Sequence, residues 1–284
     1  MNIKKLLIRA LSGLVYVGII VLCTLSGPVP VACLACLFAL FACLELQNIT
    51  YRLSIDEAFY DGLDLAGCVL LCLASWFYPI IFWLLIWFFR IVVQLYFGGK
   101  PIRDVSFSMM TQMYIALPLS IMVIIGRMFP QTTIVLAIFC FIWINDTGAF
   151  LTGSLFGRHK LFRRVSPKKT WEGFIGGLSF NLVAATLFCY FSHGFFCLPA
   201  NIGIWLGLAC LVTIVGTFGD LFESLIKRSL DIKDSGNIIP GHGGILDRID
   251  STLLVMPMAF IYLLFYRLME QPDFLYRLVL TKVL

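Results

Sequence analysis

The sequence predicts an all-α, polytopic membrane protein with about nine transmembrane helices. Three observations lead there. The chain is 60% hydrophobic and only 13% charged, well away from the balance of a soluble domain. Its apolar residues fall in long blocks, each near the roughly 20 residues that cross a bilayer as a helix. Lysine and arginine crowd the connections on one side.

The spans can be taken in order. The first, 6–26, has an apolar run too long for a signal peptide and no small-residue cleavage site, so it reads as an uncleaved span. Others are expected at 28–48, 64–78, 79–98, 106–125, 131–152, 173–195, 200–224 and 251–269. The third is short enough to be tilted or partly re-entrant, and Pro79 marks a tight turn after it. The polar stretches are too short for a soluble domain. Residues 1–284 therefore read as one membrane-embedded unit. Within it, 1–130 supply scaffold helices and candidate dimer contacts, and 131–284 supply catalytic helices and loops. The first half looks nearly featureless.

Lys4, Lys5 and Arg9 suggest a cytoplasmic start. Alternation puts 49–63, 99–105, 153–172 and 225–250 on that side. With Arg90 included, it holds 17 of the 21 lysines and arginines. Arg127, Arg267, Arg277 and Lys282 fall on the other. The basic tail, 273–284, fits an amphipathic helix along the interface. The ten cysteines lie in or beside apolar segments; Cys33 and Cys36 form a CxxC with no partner pair and read as packing residues.

Polarity concentrates in two inner loops. The first, "GRHKLFRRVSPKKTWEGFIGG" (157–177), sets Arg158, Lys160, Arg163, Arg164, Lys168 and Lys169 against one acid, Glu172. A basic anchor for anionic lipid needs charge and little else. Here Pro167 restricts the backbone, Ser166 and Thr170 add hydroxyls, and glycines 173, 176 and 177 open the next helix, which points to phosphate binding. Just before this loop, Asn145 and Asp146 sit inside an apolar run, where polar groups are either functional or bonded between helices.

The eighth span ends in Asp220, Glu223, Ser224 and Lys227, at i, i+3, i+4 and i+7, which share one helical face. The second loop then reads "PGHGGILDRID" (240–250). Asp247 and Asp250 share a face if a helix starts near Ile245, while Gly243 and Gly244 allow close approach of the backbone to a ligand. Asp220, Asp247 and Asp250 can thus converge from two helices, a hard oxygen set suited to Mg²⁺. Lys227, Arg228, Lys233 and Arg248 alternate with these acids, as a metal–phosphate site requires. The calcium-loop, P-loop, zinc and GxSxG patterns are not met.

Residues 224–250, "SLIKRSLDIKDSGNIIPGHGGILDRID", resemble the signature of the phosphatidate cytidylyltransferase (CDP-diacylglycerol synthase) family, bacterial type. Ser224, Lys227 and Arg228 match its start. Lys233 and Asp234, then His242, Gly243 and Gly244, then Asp247, Arg248 and Asp250, match the remainder. "SPKKTWEGFIGG" resembles a second recurring block of the family. The resemblance implies transfer of the cytidylyl group of CTP to phosphatidic acid, giving CDP-diacylglycerol and pyrophosphate. It implies Mg²⁺ and a second, monovalent cation (K⁺), a homodimer, and a bacterial inner membrane with the site facing the cytoplasm. By the same resemblance, Asp220 and Asp247 hold the metal and Asp250 supports them. Ser224, Lys227, Arg228 and Arg248 complete the catalytic set. Ser166, Lys168, Lys169, Thr170, Glu172, Lys233, His242, Gly243, Gly244, Asn145 and Asp146 are the candidate substrate-binding residues. Membrane lipids are expected neighbours and nucleic acid is not an expected partner. Two other readings fit some of the residues: a CTP-dependent lipid-alcohol kinase, and an ion-coupled transporter.

Overall fold

The computed structural model describes residues 3–50, 58–75, 79–97, 100–129, 131–236, 238 and 243–270. Its helices are α1 (Ile3–Ser26), α2 (Pro28–Thr50), α3 (Ala58–Ala74), α4 (Pro79–Phe97), α5 (Pro101–Thr111), α6 (Leu117–Met128), α7 (Thr133–Phe156), α8 (Trp171–Leu187), α9 (Ile202–Ser229) and α10 (Leu246–Glu270). A π-helical turn, Gln112–Ala116, joins α5 to α6, and another, Phe188–Ser192, extends α8. Among the described residues, seven helical stretches are long and apolar enough to cross a membrane, and α3 and α4 carry shorter apolar runs, Gly62–Leu73 and Ile81–Tyr96. The polytopic all-α architecture is the one the hydropathy predicts.

Three details differ from that expectation. The helices bearing charge run further than their apolar segments: α7 reaches Phe156 and α9 reaches Ser229, while α10 begins at Leu246, next to the start expected near Ile245. Paired side chains such as Glu223 and Lys227, four apart on α9, let the helix continue beyond its apolar part. Second, the loop after α7 folds as an antiparallel hairpin of β1 (Lys160–Phe162) and β2 (Ser166–Thr170), with Lys160 opposite Thr170 and Phe162 opposite Ser166. Third, the first half is not featureless. Arg90 of α4 lies 3.5 Å from the Asp64 carboxylate of α3 and donates to Gln94 at 2.8 Å. Ser108 of α5 donates to Asp64, and Asp104 accepts from the Lys100 amide. All four side chains, of Asp64, Arg90, Gln94 and Asp104, are buried. The tail expected along the interface lies outside the described residues.

The core forms where α2, α6, α7, α9 and α10 meet, with Leu46, Ile125, Phe139, Trp205, Ile249 and Val255 fully enclosed. Cys36, Cys43, Cys68 and Cys72 pack α2 against α3 as free thiols. Leu11, Leu14 and Leu22 on α1 and Phe88, Phe89 and Leu95 on α4 point outward, as side chains facing lipid do. Helices α7 and α8 pack closely against each other. A Cβ on Gly176 would overlap Thr152, and one on Gly177 would overlap Asn145. These glycines let two helices touch and do not open onto the cavity described below.

Candidate functional site

At the charged end of the bundle, α7, α9 and α10 bring four aspartates to one cavity of about 350 Å³. Asp146 comes from α7, Asp220 from α9, and Asp247 and Asp250 from the first turns of α10. Arg248 lines it too, and α1 closes one side with Ser12 and Tyr16. The Tyr16 hydroxyl donates to the Arg248 carbonyl at 3.2 Å, tying α1 to the start of α10.

Each aspartate has distinct surroundings. Asp220 Oδ2 lies 2.7 Å from Lys169 Nζ, and its Oδ1 accepts from Ser224 at 3.3 Å. Asp247 Oδ1 meets Lys227 Nζ at 2.6 Å. Its Oδ2 accepts the backbone N–H groups of Gly244 and Ser235 at 3.0 and 3.1 Å, so it also holds the loop that precedes α10. Lys227 bridges to the buried Glu223 at 2.5 Å. Asp250 Oδ1 accepts from the Ser251 amide. The face predicted on α9 is therefore real: Asp220 binds Ser224, and Glu223 binds Lys227.

The other predicted residues scatter. On β2, alternate side chains face opposite ways. Lys169 reaches into the site and Lys168 stands exposed on the other side, so the two lysines part company. Ser166 begins β2, partly buried. Thr170 is buried; its hydroxyl accepts from the Gly173 amide and caps α8. Glu172 accepts the amides of Arg158 and His159 and pairs with the His159 ring, closing the base of the hairpin. Asn145 is buried against Gly177, beside the cavity but not lining it. Arg228 donates to the Ile232 carbonyl and Lys233 is exposed. His242 lies outside the described residues. Gly243 adopts φ +89°, and a Cβ there would press on Asp247 Oδ2; one on Gly244 would overlap Ser235 and Glu45. The room these glycines leave is filled by the protein's own carboxylates rather than left for a ligand.

Glu45 of α2 and Tyr16 of α1 went unnoticed in the sequence. Glu45, a carboxylate inside an apolar span, was the visible signal. A second, apolar hollow of about 430 Å³ runs between α1 and α2 past Leu37, Phe38 and Phe41. It shares Ser12 and Tyr16 with the aspartate cavity.

The fold and cavity thus define a multi-span membrane protein that gathers acids and lysines at one end of its bundle, next to an apolar groove. The chain belongs to the cytidylyltransferase family, whose model matches residues 7–266. It is 40% identical over 169 residues to a phosphatidate cytidylyltransferase of Staphylococcus aureus, covering 57% of this chain and 60% of that protein. It is 44% identical over 132 residues to one from Staphylococcus saprophyticus (46% and 48%) and 47% identical over 122 residues to one from Bacillus subtilis (43% and 44%). The chain thus spans at most about 60% of the length of these curated relatives.

Proposed function

We propose that this protein transfers the cytidylyl group of CTP to phosphatidic acid, forming CDP-diacylglycerol and pyrophosphate. The observation that carries the reading is a four-aspartate cavity that shares Ser12 and Tyr16 with an adjacent apolar hollow. One substrate is soluble and polyanionic, and the other joins an anionic head group to acyl chains. The relatives' name points to the same pair.

Four carboxylates against one lining arginine would repel both substrates. A divalent cation resolves that conflict, and hard oxygens suit Mg²⁺. Among the described residues no three His, Cys, Asp or Glu side chains converge to ligating distance. The protein would then give Mg²⁺ one or two carboxylates, its usual share, with phosphate and water completing the shell. Asp220 and Asp247 would hold it, with Asp146 and Asp250 alongside. Bound there, Mg²⁺ supplies charge neutralisation at the phosphates. A monovalent ion, K⁺, belongs to the same reading.

The residues then act by placement. An oxygen of the lipid phosphomonoester, already anionic, attacks the CTP α-phosphorus. The bond from that phosphorus to the bridging oxygen breaks in line, and pyrophosphate leaves with the electron pair. No general base is required. Lys169 and Lys227, paired with Asp220 and Asp247, would exchange onto phosphate oxygens, and Arg248 lines the same cavity as those aspartates. Ser12 and Tyr16 stand where head group and acyl chains would meet. The lysine and arginine bias supports this end facing the cytoplasm; a bacterial inner membrane and a homodimer belong to the same reading.

The test is incubation of purified protein with CTP, phosphatidic acid and Mg²⁺, following pyrophosphate and lipid-linked cytidine together. Both should appear, and EDTA should abolish both. CDP without pyrophosphate would replace this reading by a lipid-alcohol kinase. Neither product from folded protein would leave an ion-coupled transporter as the better account.

A further inference from the structure

We infer that Glu45 of α2 is a positioning residue that sets the catalytic start of α10. The inference rests on the reading above. Glu45 is 2% exposed, a carboxylate enclosed within the bundle. Its Oε1 accepts the Ile245 amide at 2.8 Å, and its Oε2 accepts the Leu246 amide at 2.8 Å and the Ser235 hydroxyl at 3.1 Å. Ile245 and Leu246 open α10, so their N–H groups have no partner within the helix. Glu45 is therefore an N-cap supplied from another helix, some 200 residues away in sequence. The helix dipole and the three donors together stabilise an anion at this depth.

The surrounding residues are shaped to this carboxylate. A Cβ on Gly236 or Gly244 would collide with it. Asp247 holds the same loop from the other side through the Gly244 and Ser235 amides. The first turn of α10 is thus clamped between two carboxylates, and it carries Asp247, Arg248 and Asp250 to the cavity. Glu45 does not line that cavity, so it acts on the reaction through the residues it holds. A displacement near 1 Å at a reacting centre costs about 10²-fold in rate.

The full chain in detergent provides the test. Glu45→Gln keeps the shape but removes the charge and one acceptor. It should lower kcat by about 10- to 100-fold, per folded protein, while leaving KM for CTP within about twofold. The amides of Ile245 and Leu246 should exchange hydrogen faster, read by mass spectrometry on peptides across 243–250. Ser235→Ala removes one of the three bonds and should give a smaller fall, about 2- to 5-fold, of the same kind. Wild-type kcat and wild-type exchange in Glu45→Gln would overturn the inference. If that variant does not fold, an unchanged kcat in Ser235→Ala would overturn it, and a reduced kcat at constant KM would support it. A wild-type protein that makes no lipid-linked cytidine would sink the proposed reaction instead, and the exchange comparison would still decide the role of Glu45.

Discussion

Two charged clusters can be compared, one buried and one lining an open cavity. In the first half, Asp64, Arg90, Gln94 and Asp104 bond to one another among α3, α4 and α5. In the second, Asp146, Asp220, Asp247 and Asp250 face an open volume of about 350 Å³. Charge at membrane depth is costly, and the two clusters meet that cost differently. The first does so with a cation bound into the acids, side chain to side chain. The second keeps four acids on a cavity wall with Arg248 as its lining cation, and engages Lys169 and Lys227 through single carboxylate oxygens. Depth alone therefore does not single out a candidate site; excess charge of one sign around empty space does.

Substitutions should separate the two clusters. The largest effect on turnover is expected from Asp220→Asn, about 10²–10³-fold in lipid-linked cytidine formed per folded protein, as for loss of a main electrostatic contact. Its thermal midpoint in detergent should move little. A near-normal rate would return Asp220 to a structural role. Arg90→Ala should do the reverse. Removing one partner of a buried ion pair costs about 3–5 kcal/mol of stability. The rate per folded protein, measured below the melting range, should hold. Equal damage to rate and stability by both substitutions would erase the distinction drawn above.

Smaller effects sharpen the picture around the hairpin. Lys169→Ala should raise the KM for CTP or phosphatidate about tenfold, the loss expected of one charge-assisted contact. Lys168→Ala, pointing away, should leave the KM unchanged. Identical values for the two would mean that the hairpin does not present Lys169 to the site. Thr170→Ala should be the mildest, costing about 1 kcal/mol of stability through the lost cap of α8, visible in thermal unfolding. A large KM effect would instead make its hydroxyl a substrate contact.

The comparison also explains which parts of the site could be read in advance. Asp220, Ser224 and Lys227 lie on one continuous helix, where spacing alone settles which side chains share a face. Asp247 and Asp250 obey the same rule once α10 begins. Lys168 and Lys169 do not, because a strand reverses direction at every residue and the hairpin itself was not foreseen. Gly243 and Gly244 were right as glycines but for another reason: they accommodate Asp247 and Glu45. Glu45 and Tyr16 were missed because a lone polar residue in an apolar span does not say which neighbour it will meet.

By itself the sequence determined the helical membrane architecture, the sidedness of its charge and the acids proposed to carry the chemistry. Hydropathy and helical period are properties of a residue and its near neighbours, and they survive without knowledge of the fold. Only the tertiary structure decided that Asp146 joins the other aspartates, that α1 and α2 reach the aspartate-bearing end, and that Glu45 caps a helix from across the bundle. Those facts depend on which helices pack together, and in a lipid-like setting apolar faces look much alike until small residues and buried hydrogen bonds select their partners.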